Sequence, residues 1–270
     1  MSETDKVFTG SIPDIYDEFL VPLIFETYAA DLAKRAASSD PQTVLETAAG
    51  SGVVTRALAP LLSADARYVV TDLNQPMLDR AAEMQGIDSR IKWQAADALS
   101  LPFDDNSFDV VCCQFGVMFF PDRVAGYAEA RRVLKPDGRL VFNAWDKIED
   151  NEFADVVTQT ASEVFADDPP LFLARTPHGY NDVREIEADL RAAGFDDISI
   201  ETITETSSAP TARHPAVAYC EGTPLRNEIE ARDASRLGEV VQRATNAIAT
   251  RYGAGPVAAK IQGHVVVATA

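Results

Sequence analysis

The sequence is poor in cysteine, histidine and positive charge. Its 270 residues include three cysteines and three histidines, and 24 Lys+Arg stand against 42 Asp+Glu, a net charge of −18. Cys112 and Cys113 are adjacent in an apolar run and Cys220 is alone, so no CxxC pair invites zinc or dithiol chemistry, and no metal site is expected. Such sparse usage suits a reducing compartment. A net anion of this size repels a phosphate backbone, which is bound chiefly through Lys and Arg. Nucleic-acid binding is therefore disfavoured, as is docking on an anionic membrane face, although a small basic patch is compatible with the count. Runs of about 18 apolar residues are absent, so nothing is expected to span a bilayer. The start, MSETDKVFTG, lacks the basic and apolar regions of a signal peptide. The expectation is a soluble, cytoplasmic protein.

What is present is an ordinary globular composition, 46% hydrophobic and 24% charged, in a chain long enough to bury its core without disulfides. Residues 12–37 carry apolar positions near helical spacing. Pro22 predicts two short helices there, the second opening with the proline at its first position. An alternation follows. TVLETA (43–48), ARYVVTDL (66–73), RIKWQAAD (90–97), FDVVCCQF (108–115) and GRLVFNAW (138–145) read as strands. Helices are expected through VVTRALAPLL, from Pro76 to about Gln85, and from Ala125 to Leu134, the last stopped by a turn at Lys135-Pro136-Asp137-Gly138. Strands alternating with helices predict an α/β fold, a parallel sheet wound on both faces. Beyond Trp145 the rhythm breaks. A helix over 183–193, strands ISIETITE (198–205) and HVVVATA (264–270), and a helical stretch from Leu225 through Ala249 are expected. With no repeat or long linker, residues 1–270 read as a single domain. Residues 147–180 and 207–262 read as insertions capping the ligand edge of the sheet.

The sharpest motif is Val44-Leu45-Glu46-Thr47-Ala48-Ala49-Gly50-Ser51-Gly52, which leaves the first strand for the first helix. Ligands of open α/β sheets bind beyond the carboxyl ends of strands, and glycine there lets backbone approach them. A two-glycine loop alone is equally well read as turn chemistry. Asp72 strengthens it by closing the second strand 20 residues after Gly52, where a carboxylate accepts from both hydroxyls of an adenosine ribose. Asp97, between Ala96 and Ala98, and Gln114, before Phe115-Gly116, close the third and fourth strands.

These elements resemble a class I S-adenosylmethionine (SAM)-dependent methyltransferase of the small-molecule type, related to the quinone-biosynthesis C-methylases and similar to methyltransferase type 11 domains. VLETAAGSG, VTDLNQPML, AADALSLPFDDNSFDVV and LKPDGRL carry the resemblance over about residues 40–146, the expected SAM-binding core. The family's first motif usually has aspartate at Glu46 and glycine at Ala48. The resemblance implies a Rossmann-like sheet of seven strands with the last antiparallel, SAM as cofactor and S-adenosyl-L-homocysteine as product. It implies that Glu46 orients the loop and the methionyl amine, with Ala48 adding a methyl beside the ligand. Gly50 and Gly52 would line the methionyl and ribose portion. Asp72 would hold the ribose diol, Leu73 and Met77 would pack the adenine, Asp97 and Ala98 would meet its amino group and ring face, and Gln114 would lie near the methionyl end.

Methyl transfer from a sulfonium is an in-line displacement that needs alignment and exclusion of water. A base is required only if the acceptor loses a proton. His178, His214 and Tyr16 are the candidates, and each histidine is also well read as a surface residue, whereas His264 reads as structural. A small organic acceptor is expected, its reacting O, N or C atom open. Two alternatives stand beside this reading: a non-catalytic SAM-binding or regulatory protein, and a nicotinamide-dependent oxidoreductase. Against the second, no glycine follows Gly52 at the spacing of GxGxxG.

Overall fold

The apolar runs between residues 43 and 145 form strands because their branched and aromatic side chains pack on both faces of a covered sheet. The computed structural model describes residues 12–270; the polar start lies outside the described residues. The strands are β1 (Thr43–Glu46), β2 (Arg67–Asp72), β3 (Ile91–Ala95), β4 (Phe108–Gln114), β5 (Leu134–Trp145), β6 (Asp197–Ala209) and β7 (Val257–Thr269). The helices are α1 (Ile12–Ile15), α2 (Glu26–Ala37), α3 (Val53–Leu58), α4 (Gln75–Gln85), α5 (Arg123–Val133), α6 (Glu152–Val164), α7 (Phe172–Arg175), α8 (Val183–Ala192), α9 (Arg213–Glu221), α10 (Leu225–Asp233) and α11 (Leu237–Tyr252). One sheet has the order β3-β2-β1-β4-β5-β7-β6. β1 to β5 pair in parallel. β7 runs against β5, since Ala270 donates to Gly138 at one end and Asp146 donates to Gln262 at the other.

The chain divides into two compact units. A sheet unit comprises residues 26–144, 180–203 and 263–270; a helical unit comprises the described residues up to Phe25, with 145–179 and 204–262. In the sheet unit, Ala29, Leu32 and Ala33 of α2, Val54 and Leu58 of α3, and Leu78 of α4 share a core with Val44, Tyr68, Val70, Val110, Cys112 and Val141. The opposite face carries α5 and α8: Tyr127 stacks on Phe142 with ring centres 5.3 Å apart, and its hydroxyl meets that of Tyr180. In the helical unit α6, α9 and α11 pack on one another around Phe153, Val157, Ala216, Val240 and Ile248.

Three local expectations are corrected. Pro22 does not break residues 12–37 into two helices; it sits inside π-helical turns, Tyr16–Phe25, continuous with α1 and α2. A proline ring collides with the carbonyl four residues back and supplies no N–H; the wider i→i+5 turn displaces that carbonyl. The turn at Lys135–Gly138 is instead a bulge within β5: Leu134 pairs with Phe108 and Arg139 with Val110, leaving the intervening residues bowed out with Asp137 at φ 63°. The helix expected from Leu225 through Ala249 is two, α10 and α11, separated by a 3-10 turn where Asp233 accepts from the Ser235 N–H.

Candidate functional site

The sheet order reverses between β1 and β4. From β1 the chain steps outward through β2 and β3, and from β4 it steps the other way through β5. The crevice at such a reversal, beyond the carboxyl ends of the strands, is where open α/β sheets bind ligands. Every residue expected to hold the cofactor falls in the sheet unit, and most flank this point.

The loop after β1 is stitched down by backbone. Thr47 N–H donates to Cys112 O (2.9 Å), Ala49 N–H to Thr71 O (3.0 Å) and Gly50 N–H to Asp72 Oδ2 (2.9 Å). Alternate residues take left-handed conformations: Ala48 at φ 51°, Gly50 at 56° and Gly52 at 79°. A Cβ on Gly52 would lie 2.9 Å from that of Ala81, so the position excludes a side chain by both conformation and space. Ala48 holds its conformation despite its methyl, at a cost on the order of 1 kcal/mol. At the tip of β4, Phe115 is at φ 49°, unusual for a bulky residue. Its ring meets Tyr28 edge-on at 5.2 Å. A Cβ on the next residue, Gly116, would come within 2.5 Å of Ala48 Cβ and 2.7 Å of Cys113 Sγ, so the β1 and β4 loops touch here with no room for another methyl.

Two carboxylates lie under this loop. Glu46 is 1% exposed, and its Oε2 accepts from Thr55 Oγ1 (2.7 Å) and from the Tyr68 hydroxyl. Burial raises its pKa from 4.5 to about 7, against those two hydrogen bonds. Asp72 is 6% exposed; Oδ2 accepts from Gly50 N–H and Oδ1 from Asn74 N–H (2.7 Å). Burial raises its pKa as well, with the backbone donors opposing. Neither carboxylate forms an ion pair with a described residue. The cation coupled to Glu46, Arg56, donates instead to Ser51 O (2.6 Å). Buried carboxylates are ordinarily paired.

The other expected residues line the same edge. Leu73 is 54% exposed, a large apolar side chain left in solvent just past β2, whereas Met77 is buried. Asp97 is exposed, accepts from Leu99 N–H (2.9 Å) and follows Ala96, whose N–H donates to Asp72 O; Ala98 is half-buried. Gln114 is half-buried and pairs in register with Asn143. Sequence reasoning missed Tyr68 and Thr55 as partners of Glu46. The one signal for Tyr68 is its strand spacing: it shares a face with Val70 and Asp72, and brings a hydroxyl to that face.

The three candidates for a base all lie in the helical unit. His178 is buried, not a surface residue: its Nδ1 donates to Asp146 O (2.8 Å), its ring lies 5.9 Å from Trp145, and burial lowers its pKa to about 4. His214 is half-buried, with Nε2 donating to Phe19 O (3.2 Å). Tyr16 is half-buried and stacks on Phe25. His264 is held between Thr202 and Asn181, a structural role.

A methyltransferase-domain family matches residues 45–142, which span β1 to β5. The ubiquinone/menaquinone biosynthesis C-methyltransferase UbiE of Dinoroseobacter shibae is 32% identical over 191 residues, 64% of this chain and 72% of that one. The chain belongs to the class I SAM-dependent methyltransferases. Solved methyltransferases share its fold. A putative methyltransferase of Bacillus halodurans superposes with TM-score 0.58 at 19% identity, over 90% of this chain and 98% of that one. Phosphoethanolamine N-methyltransferase 2 of Haemonchus contortus, solved with SAM, gives 0.61 at 17% identity, over 99% of this chain and 60% of that one. The methyltransferase uses SAM and transfers its methyl group to a small-molecule acceptor; the oxidoreductase and non-catalytic alternatives are not favoured. Two buried carboxylates with no ion pair among the described residues are compatible with a cofactor that is itself cationic.

Proposed function

We propose that the carboxyl edge of β1 to β4 binds the cofactor as a row of backbone and carboxylate contacts. The observation that carries this reading is Asp72, buried at the tip of β2 and joined to Gly50, so that one carboxylate both shapes the loop and presents its remaining lone pairs to a ribose diol. Gly50 and Gly52 keep side chains off the methionyl and ribose portion, with Ala48 alongside. Glu46 orients the loop and the amine. Leu73 covers the adenine from the solvent side with Met77 beneath, Asp97 takes its amino group, Ala98 its ring face, and Gln114 lies toward the methionyl end. When bound, the cofactor supplies an electrophilic methyl group and a neutral leaving group.

The acceptor is a small organic molecule, and the net charge of −18 disfavours nucleic acid. Residues 147–180 and 207–262 are assigned acceptor specificity, because the matched domain ends at residue 142. Neither His178 nor His214 is assigned as base, since each commits a ring nitrogen to a backbone carbonyl. A reducing, cytoplasmic setting agrees with three buried free thiols. None of the described helices is long and apolar enough to cross a membrane.

Calorimetric titration tests the reading. S-adenosylhomocysteine is expected to bind with micromolar affinity and NADH not at all; heat with NADH alone overturns it.

A further inference from the structure

Asn143 lies third from the end of β5, and its side chain is fully buried. Among the described residues, neither its Nδ2 nor its Oδ1 has a hydrogen-bond partner. An amide buried with donor and acceptor both unused is costly, because water would satisfy each. Such groups are explained where a ligand completes them.

The strand register places this amide on the ligand edge. Cys112 pairs with Glu46 of β1 and with Val141 of β5; one row nearer the carboxyl edge, Gln114 pairs with Asn143. Partners across parallel strands share a sheet face, so Glu46, Gln114 and Asn143 lie on the face where Val141 shares a core with α2 and α3. The last turn of α2 meets the amino end of β5, where Arg139 donates to Arg35 O (3.3 Å). Early in the same helix, Tyr28 packs on Phe115 just past β4. Asn143 thus continues on β5 the row formed by Asp72, Glu46 and Gln114, all within the sheet unit.

We propose that Asn143 recognises the amino-acid tail of the cofactor, Nδ2 donating to the tail carboxylate and Oδ1 accepting from its ammonium. The inference rests on the cofactor reading above, which sets the tail's amine at Glu46 and its methionyl end toward Gln114. Charge gives the tail its direction. Glu46 and Asp72 close β1 and β2, so the tail carboxylate turns away from them, toward β4 and β5. Neighbouring strands are about 5 Å apart, which puts the amide one strand beyond Gln114. The ammonium has three N–H groups and serves Glu46 and Asn143 together. A carboxamide donates to one charge and accepts from the other while adding none of its own. Because S-adenosylmethionine and S-adenosylhomocysteine share this tail, Asn143 does not tell donor from product; it separates both from adenosine thioethers that lack the tail.

The test is calorimetric titration of wild type, Asn143→Leu and Asn143→Ala with S-adenosylhomocysteine and with 5′-methylthioadenosine, which keeps the adenosyl thioether and lacks the tail. Affinity for S-adenosylhomocysteine is expected to fall at least about tenfold in both variants, as a lost charge-assisted hydrogen bond requires. Affinity for 5′-methylthioadenosine should change less than about twofold. A loss equal for the two ligands, or a loss for neither, overturns the inference and marks the amide as structural. A crystal structure of the wild type with S-adenosylhomocysteine decides independently of whether the variants fold. Both amide atoms are expected within hydrogen-bond distance of the tail, and an amide more than about 4 Å from it overturns the inference. If neither ligand binds the wild type, the cofactor reading falls and takes this inference with it.

Discussion

The two ends of the parallel sheet use the same residue type to opposite ends. At the amino edge, Asp109 of β4 accepts from the backbone N–H groups of Gln42 and Thr43 (3.0 and 2.8 Å), from the Thr43 hydroxyl and from Lys135 Nζ (2.8 Å). Its partial burial works against ionisation, yet Lys135 and Thr43 hold its carboxyl below the usual range. At the carboxyl edge, Glu46 and Asp72 are more deeply buried, form no ion pair among the described residues and are shifted upward. The carboxylate at the amino edge ties β1, β4 and β5 together; those at the carboxyl edge are held where burial disfavours their charge, which the proposed cationic cofactor would offset. The difference teaches that an acidic residue in this fold is read by which strand end it occupies.

That contrast has opposite signs in pH dependence. Because the folded-state pKa of Glu46 is raised, the native protein binds an extra proton between about pH 4.5 and pH 7. The associated stability is present below 4.5 and lost as pH rises through 7. Urea denaturation is expected to show a loss of about 3 kcal/mol across that window in the wild type relative to Glu46→Gln. A flat difference between the two would show that Glu46 ionises normally. Asp109 acts in reverse: its contribution is present above its unfolded pKa, near 3.8, and is lost as pH falls further. Next in size, Asp109→Ala is expected to cost about 2 kcal/mol of stability by stranding Lys135 and two backbone donors. S-adenosylhomocysteine affinity should change less than twofold; a tenfold loss would erase the distinction between the edges. Asp72→Ala should do what Asp109→Ala does not, weakening that affinity at least tenfold, about 1.4 kcal/mol. Unchanged calorimetric affinity would remove Asp72 from the site. The smallest effect is expected from Ala48→Gly. Relief of the left-handed strain exceeds the added freedom of the unfolded chain by about 0.5 kcal/mol or less, read as a raised denaturation midpoint. A lowered midpoint would mean that the methyl packs usefully against the β4 loop.

Much of the sheet was legible before any coordinates. FDVVCCQF becomes β4 because an unbroken apolar run suits a strand covered on both faces, and Asp72 closes β2 because a polar residue ends such a run at the edge of cover. Pro22 and the Lys135–Gly138 segment were misread for a common reason. Proline and glycine report what the backbone cannot do locally, and tertiary packing chose an accommodation, a π-turn or a bulge, in place of a break. The histidines were legible only as candidates, because burial of His178 against Trp145 depends on segments far apart in the chain.

By itself the sequence determined the strand–helix alternation, the glycine loop, the acidic residues that close β1 and β2 and the one that follows β3, and the charge that disfavours nucleic acid. All of these follow from periodicity, local conformation or composition, which act over a few residues or over the whole count. Tertiary structure alone decided that β4 lies beside β1, which places Gly116 against Ala48 and sets the reversal in the sheet. It also decided that Tyr68 and Thr55, rather than a cation, meet Glu46. The pKa of a carboxylate depends on its burial and on what touches it, and both are properties of neighbours brought together by folding.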